Sequence, residues 1–210
     1  MRYRWSLLAA VFAVLAFGVG FAQAEFESAD PTTTVSTTAD GTGKNSHQVL
    51  DLAGAPLTCP GIELNTSFVG TKSAPALFAS VEFTGACNYL GQSAAVNMHG
   101  CGFNLHSNGE LDVSGATCAA NPMTVSVPAP ACSVSIPPQT GLKTVKYTNI
   151  KPGAVSEITL ELSLTGIKYT ATGAGCVITG TKTDGAYTTG RAILTGEDTG
   201  TSNMVDIFGP

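Results

Sequence analysis

Several stretches of this chain alternate strictly between apolar and polar residues, and this pattern limits the fold more than any other feature. The clearest stretch is ITLELSLT at residues 158–165, in which every second residue is apolar. A period of two places all the apolar side chains on one face of a β-strand. The same pattern is found at residues 77–83, 123–127, 132–136, 145–147, 167–169 and 176–178.

The rest of the chain agrees with a fold made of strands. No window of twelve residues has a convincing helical period, and strands do not alternate with long helices as in parallel α/β folds. Only 12% of the residues are charged, and the many threonines and valines favour sheets over helices. We predict an all-β fold of about ten short strands. The first choice is an antiparallel β-sandwich, Ig-like or related, and the second is a flattened β-barrel.

Two dipeptides are typical of tight hairpin turns. Residues 108–109 are Asn-Gly and residues 184–185 are Asp-Gly, and each pair lies between extended segments. Both tolerate the positive φ of a two-residue turn. We therefore predict two regular hairpins, and in the first of them Leu105 faces Asp112.

The first 24 residues have the layout of a secretory signal peptide. Arg2 and Arg4 form a basic start, residues 7–21 form an apolar run, and residues 22–24 (AQA) offer a cleavage site. A transmembrane anchor is the rival interpretation, but spanning a bilayer takes roughly 20 apolar residues, and this run has 15. We predict cleavage after Ala24, a secreted protein at the cell exterior or envelope, and no membrane span after cleavage.

The mature chain is predicted to have two parts. Residues 25–48 contain almost no apolar residue after Phe26. Such a segment buries too little surface to offset the entropy of ordering it, so we predict a disordered Thr-rich tether at residues 25–48. Residues 49–210 are predicted to form a single disulfide-bonded β domain.

The six cysteines all lie in the mature chain. An even number of cysteines in an oxidising compartment predicts three disulfides, although six cysteines allow 15 connectivities. Continuing the register of the first hairpin favours one pair, Cys101–Cys118. No C-x2-C pair of the kind that holds zinc is present. The disulfide candidates are Cys59, Cys87, Cys101, Cys118, Cys132 and Cys176.

The charge balance excludes some partners. Without Arg2 and Arg4 the mature chain has 8 basic and 15 acidic residues, a formal net charge of −7. Nucleic-acid binding depends on a basic surface that displaces phosphate counterions. We therefore predict no nucleic-acid partner, and binding to anionic lipid is disfavoured for the same reason.

No catalytic motif is complete. Residues 91–95 (GQSAA) place Ser93 as in the G-x-S-x-G elbow of hydrolases but lack the second glycine. Residues 41–45 (GTGKN) lack the first glycine and the final hydroxyl residue of a phosphate-binding loop. His99 and His106 flank Cys101 with Met98 nearby, an arrangement with soft ligands for copper, but a cysteine in a disulfide is a poor ligand.

The acidic and aromatic residues do not identify a catalytic or sugar-binding site either. The acids in predicted strands or turns are interpreted as surface charges, because no pair can be placed at the separation that glycoside hydrolysis needs. They are Glu63, Glu82, Glu110, Asp112, Glu157, Glu161 and Asp184. Trp5 is lost with the signal peptide, so the aromatic platform of a sugar site would have to come from Tyr89, Tyr147, Tyr169 or Tyr187. We predict no catalytic, cofactor-binding or metal-binding residue and no cofactor, and we favour a non-enzymatic protein.

The layout resembles uncharacterised secreted bacterial proteins of the kind common in actinobacteria. The resemblance covers roughly residues 59–195 and is carried by the signal peptide together with residues 86–89 (ACNY), 100–103 (GCGF) and 132–139 (CSVSIPPQ). It implies no activity and no functional residue.

The sequence therefore favours a secreted or cell-surface binding or structural module. Its partner is expected to be an extracellular protein or a cell-envelope glycan. Two alternatives stay open. One is a small secreted hydrolase with an unrecognised site, and the other is a secreted protease inhibitor that docks a disulfide-held loop such as residues 119–131.

Overall fold

The computed structural model describes residues 25–38, 48–52, 55–150, 157–188, 192–198, 204–205 and 207–210. Every helix or strand assigned within these ranges is a β-strand, which confirms the all-β prediction. The strands are β1 (Phe26–Ser28), β2 (Thr33–Thr38), β3 (Gln48–Leu52), β4 (Ala55–Cys59), β5 (Gly61–Ser67), β6 (Ser73–Ala74), β7 (Ala76–Thr84), β8 (Cys87–Tyr89), β9 (Gln92–Asn97), β10 (Gly102–His106), β11 (Glu110–Ser114), β12 (Met123–Val127), β13 (Cys132–Ile136), β14 (Gln139–Lys143), β15 (Val145–Ile150), β16 (Glu157–Thr172), β17 (Gly180–Thr188), β18 (Ala192–Asp198), β19 (Met204–Val205) and β20 (Ile207–Phe208).

Eight strands form a closed antiparallel barrel. The order from neighbour to neighbour is the second half of β16, then β13, β12, β9, β8, β4, β3 and β17, which pairs with β16 again. Closure removes the unpaired edges that invite aggregation of open sheets. The barrel supports the second of the two predicted architectures, and the β-sandwich is not confirmed.

Most of the remaining strands form a second antiparallel sheet that shares β16 with the barrel. Its order is β15, the first half of β16, β18, β2, β5, β7, β10, β11 and β14. The two outermost strands are consecutive in the chain and are separated by Thr144, which exchanges two backbone hydrogen bonds with Ser163 (3.1 and 3.0 Å). The sheet therefore curls round until its ends meet.

The predicted apolar faces point inward in both sheets. Every apolar residue of the 158–164 stretch is buried. At the junction of the sheets the rings of Phe83 and Phe103 pack against Tyr187, with centroids 6.3 and 6.1 Å from it. The buried Tyr187 hydroxyl donates a hydrogen bond to Gln48 Oε1 at 2.5 Å. Each of these two buried polar groups thus has the partner that its burial requires.

The predicted disordered tether is wrong over its first part. Phe26 is fully buried, and its ring meets that of Tyr147 edge to face at 4.9 Å. Strand β2 pairs with β18 on one side and with β5 on the other, and its Val35 is buried. Threonine is polar in composition but β-branched, so a Thr-rich segment can complete a sheet through its backbone. Residues 39–47 of the predicted tether lie outside the described residues.

The first predicted hairpin exists, but its turn has three residues, 107–109. Leu105 faces Leu111 instead of Asp112, a shift of one position. Gly109 has a φ of 82°, and its N–H donates to the His106 carbonyl oxygen at 3.1 Å. A three-residue hairpin loop commonly ends in such a left-handed glycine. The glycine thus sets the register, and the prediction of a two-residue turn was wrong.

The second predicted hairpin is wrong, because residues 184–185 lie inside β17. Gly185 is opposite Ile167, where the pairing of β16 with β17 is irregular. A Cβ on Gly185 would lie 2.9 Å from the Ile167 carbonyl oxygen. The glycine therefore permits a close approach of two strands and does not form a turn. The predicted short strand at residues 176–178 lies in the connection between β16 and β17.

The three predicted disulfides are present, and the favoured Cys101–Cys118 pair is among them. The others are Cys59–Cys87 and Cys132–Cys176. Disulfides of this number indicate an oxidising environment. Within the described ranges no helix is long and apolar enough to cross a membrane. The predicted signal peptide at residues 1–24 lies outside those ranges.

Removing a disulfide should lower the free energy of unfolding more when the bridge closes a longer loop. Cys132–Cys176 spans 44 positions and Cys101–Cys118 spans 17. From loop-closure entropy we expect the double alanine variants to lose about 4 and about 3 kcal/mol of unfolding free energy, respectively. Guanidinium denaturation of both variants measures this. A larger loss for Cys101→Ala/Cys118→Ala would contradict it.

Thr66 offers a second stability test. Its Oγ1 is buried and has no hydrogen-bond partner among the described residues. Thr66→Val removes this unpaired group at nearly constant shape and should raise the unfolding free energy by about 1 kcal/mol. The matched control is Thr34→Val, because Thr34 Oγ1 donates to the Glu197 carbonyl oxygen at 3.0 Å and its loss should not stabilise. Equal effects in urea denaturation would rule out the explanation.

Candidate functional site

The apolar cavity at the junction of the two sheets is too small for a ligand. The cavity at their junction has a volume of about 30 Å³ and is lined by Tyr187 and apolar side chains such as Leu50, Phe103 and Met123. A volume of this size holds roughly one water molecule. Larger depressions lie on the surface of the part of the chain that the structure describes.

The outer face of the second sheet carries polar side chains around one exposed aromatic ring. Side chains alternate across a strand, so the neighbours of its buried residues point outward. The register places Phe78 beside Asn104, and Asn104 beside Asp112, on three adjacent strands. Asn65 and Ser80 face each other in the next row. We call this surface the Phe78 face, and it consists of Thr34, Asn65, Ser67, Phe78, Ser80, Asn104, His106 and Asp112.

The Phe78 ring is supported from beneath by Gly102. The ring atoms Cζ and Cε2 lie 2.7 and 3.1 Å from the position that a Cβ on residue 102 would occupy. Any other residue there would displace the ring, and aromatic cover of a strand glycine is a known stabilising arrangement. The ring is thus held in place while Phe78 remains 46% exposed.

Two depressions border the ring and share Ser67 and Phe78. The first depression, over β2, β5 and β7, has a volume of about 400 Å³ and is lined by Thr34, Val35, Asn65, Thr66, Ser67, Phe78 and Ser80. The second depression, bordered by residues 67–77 and Phe78, has a volume of about 390 Å³ and is lined by Ser67, Phe68, Val69, Thr71, Ala74, Ala76, Leu77 and Phe78. Both depressions are widely open to solvent.

A hydrogen-bonded cluster forms the other margin of the Phe78 face. His106 Nε2 lies 2.9 Å from Asp112 Oδ2 and 3.2 Å from Asn104 Nδ2. The Gly141 N–H donates to Asp112 Oδ1 at 2.8 Å, and the Tyr147 hydroxyl donates to the His106 carbonyl oxygen at 3.0 Å. Burial alone would raise the pKa of Asp112, but the hydrogen bonds from His106 and Gly141 outweigh it, so the pKa is lowered.

A second charged pair lies next to this cluster. Lys143 Nζ is 3.0 Å from Glu110 Oε1. Hydrogen bonds from Lys143 and Asn108 lower the pKa of Glu110. These two pairs lie at one margin of the Phe78 face, and the exposed carboxylates of Glu63 and Glu82 lie on the same outward faces of β5 and β7, two positions from Asn65 and Ser80.

The described residues of the Phe78 face carry amide, hydroxyl, carboxyl, imidazole and aromatic groups. Hydrolysis by a serine or cysteine nucleophile requires a hydroxyl or thiol hydrogen-bonded to a base. Among the described residues, the side-chain partners of the His106 ring are Asn104 and Asp112 alone. The amide, hydroxyl and aromatic groups instead provide hydrogen-bond donors, acceptors and a stacking surface.

The structure does not assemble the other candidates into a site. Ser93 is an exposed residue of β9. Cys101 is held in its disulfide, and His99 Nε2 lies 3.1 Å from Thr124 Oγ1. In the part of the chain that the structure describes, no three His, Cys, Asp or Glu side chains gather as metal ligands. Glu63 and Glu82 face each other across β5 and β7, but both are exposed and neither lines a depression described above.

The segment at residues 119–131 is not the loop expected of a protease inhibitor. Its residues 123–127 form β12, which pairs with β9 and β13 in the barrel wall. The flanking Cys118 and Cys132 are bonded to different partners, Cys101 and Cys176. Backbone hydrogen bonds therefore hold β12 on both sides.

Phe78 was missed by the sequence analysis. Tyr89, Tyr169 and Tyr187, named there as aromatic candidates, are buried, and Tyr147 packs against the core. The signal for Phe78 was an aromatic residue at a polar position of the alternating 77–83 stretch. Such a residue points outward by the same periodicity that buries its neighbours.

The lowered pKa of Asp112 predicts a pH-dependent stability. A carboxyl group whose pKa is lower in the folded state stabilises the fold above its unfolded pKa, near 3.9, and loses this contribution as the pH falls. Asp112→Asn should lower the unfolding free energy by about 1 kcal/mol at pH 7. The difference should shrink as the pH falls below about 4. Urea denaturation across this pH range is the measurement, and a constant difference would contradict the assignment.

Comparison with known proteins adds no assignment at this point. No protein-family model, curated protein or solved structure matches the chain.

Proposed function

We propose that the protein is a secreted or cell-surface binding module whose ligand site is the Phe78 face. The observation that carries the proposal is the Phe78 ring, which rests on Gly102, is 46% exposed and separates two depressions. Apolar surface in contact with water is unfavourable until a partner covers it. An apolar patch rimmed by polar groups is typical of interaction sites.

The scaffold supports a binding role. The Phe78 face lies on paired strands, where side-chain positions are better defined than on loops. Pre-organisation of this kind reduces the entropy lost on binding. The three disulfides and the signal-peptide pattern support a location outside the cell, where an extracellular protein or an envelope glycan would be the partner.

Phe78→Ala should abolish binding and leave the fold intact. The purified protein is mixed with insoluble cell-wall polysaccharide and, separately, with immobilised cell-surface proteins, and the retained fraction is measured. Loss of the ring should reduce the apparent affinity at least about tenfold, which corresponds to roughly 1.4 kcal/mol. Circular dichroism checks that the fold is kept.

The matched control is Leu90→Ala. Leu90 is also an exposed apolar residue, 53% accessible, but it lies in the turn between β8 and β9 of the barrel. Its replacement should leave retention unchanged. Equal retention of Phe78→Ala and the unmodified protein, or no retention of the unmodified protein on either material, would refute the proposal.

A further inference from the structure

We infer that one end of the barrel is a contact surface for a bilayer of zwitterionic lipid. We call this surface the barrel tip, and it consists of Leu90, residues 128–131 (PAPA), Ala174 and Val177, all of which are exposed. These residues belong to three connections between barrel strands. The barrel tip is separate from the Phe78 face, so the inference goes beyond the proposed function.

The pairing of the barrel strands brings the three connections to the same end. Tyr89 faces Gln92 across the turn from β8 to β9, and Val127 faces Cys132 across the connection from β12 to β13. Because β9 pairs with β12 and β13 pairs with β16, both antiparallel, neighbouring connections lie side by side. Residues 173–179 join β16 to β17 at the same end. The connections therefore form one continuous, outward-curved surface.

Two of the connections are bound to each other. The Cys132–Cys176 disulfide joins them, and the Gly175 N–H donates to the Ala131 carbonyl oxygen at 2.9 Å. A Cβ on Gly175 would clash with the Pro130 carbonyl oxygen, so this close approach requires a glycine. The apolar side chains of the barrel tip are thus carried on a backbone that is held in place.

Leu90 has a backbone conformation that is unfavourable for leucine. Its φ of 51° lies in the left-handed region, which Gly, Asn and Asp normally occupy in hairpin turns. Its side chain is 53% exposed, so core packing does not explain the choice of leucine. Residues in such strained conformations are concentrated at functional sites. The strain therefore indicates that an apolar side chain at this position has a role outside the fold.

The backbone of the barrel tip suits an environment that is poor in water. Pro128 and Pro130 have no N–H group. The Gly91 N–H donates to Asn88 Oδ1 at 2.8 Å, and the Gly175 N–H is paired as described above. A backbone group without a partner is costly when lipid replaces water. These donors keep their partners when the barrel tip is covered by lipid.

The distribution of charge favours a lipid without net charge. Lys, Arg, Asp and Glu do not occur at residues 83–109, 113–142 or 169–181, which include the three connections and all of β8, β9, β12 and β13. The barrel tip thus enters a bilayer without the cost of burying a charge. Asp51 and Asp184 are exposed on β3 and β17, and the chain has a formal net charge of −5. Anionic lipid would therefore repel the protein.

A protein partner fits the barrel tip less well. Trp, Tyr and Arg, which dominate the energetics of protein interfaces, do not occur at residues 90–91, 128–131 or 173–179. Stable protein interfaces also bury about 1,600 Å² and surround an apolar core with a polar rim. The large apolar side chains here are Leu90 and Val177. Their burial in lipid needs no matching shape and provides a weak, reversible attachment.

The test is flotation of the purified protein with lipid vesicles. Phosphatidylcholine vesicles should carry the protein upward in a density gradient, in a fraction that rises with lipid concentration and gives a partition coefficient. Vesicles in which phosphatidylglycerol replaces part of the phosphatidylcholine should carry less protein. Added salt should reduce that difference, because it screens the repulsion.

Leu90→Asn separates binding from stability. Asparagine tolerates a positive φ, so this variant should be at least as stable as the unmodified protein in urea denaturation. Its partition coefficient should nevertheless fall about tenfold, because an apolar side chain is lost from the surface that enters the bilayer. Val177→Ser should lower the partition coefficient by a similar factor. A purely structural role of Leu90 would not lower binding while stability is kept.

The matched controls are Phe78→Ala and Val69→Ser. Both positions hold exposed apolar residues outside the barrel tip, 46% and 82% accessible. Both variants should float with phosphatidylcholine vesicles like the unmodified protein. Vesicle binding that depends on Phe78 would place the lipid contact elsewhere and overturn the inference.

Three further results would overturn it. They are an unmodified protein that does not float with phosphatidylcholine vesicles, flotation that Leu90→Asn and Val177→Ser leave unchanged, and stronger flotation with the anionic vesicles. Sedimentation equilibrium tests the rival occupant, since a dimer that is lost in Leu90→Asn would assign the barrel tip to a second copy of the chain. None of these results bears on retention through the Phe78 face, so the proposed function is tested separately.

Discussion

The architecture depends on the backbone hydrogen bonds of one long strand, β16. Its first half pairs with β15 and β18, and its second half pairs with β13 and β17. A buried backbone N–H or C=O without a partner is costly, so these pairings fix where both sheets begin and how they curl. The alternation of apolar residues along β16 places one side of it in the core of each sheet. One strand therefore belongs to both the barrel and the second sheet, and the register of its pairing with β17 shifts between Thr165 and Ile167.

The candidate site is a consequence of the same pairing. Once β7 lies between β5 and β10, the buried Leu77 and Ala79 require Phe78 to point outward. The register then brings the bare backbone of Gly102 beneath the ring. Aromatic rings retain few rotamers, so a ring that already rests on a glycine loses little further entropy when a ligand covers it.

The sequence predicted well what depends on local periodicity. The buried residues of 158–164 follow from a side-chain period of two, and the disulfides follow from an even cysteine count in a chain predicted to be secreted. What it missed depends on distant pairing or on a single dihedral angle. The pairing of Thr33–Thr38 with β18 and β5 is not visible in its own composition, and the hairpin register depends on the φ of Gly109. Phe78 was recognisable as an outward aromatic, but its support by Gly102 required the register.

The central claim is that the Phe78 face is the binding surface. The most direct measurement is a two-dimensional NMR titration of the isotopically labelled protein with soluble fragments of cell-wall polysaccharide and, separately, with solubilised cell-surface proteins. Saturable chemical-shift changes should be confined to the amides of β2, β5, β7 and β10 and of residues 68–75, and they should disappear in Phe78→Ala. Saturable changes that map to another surface, or no change with either material, would contradict the account.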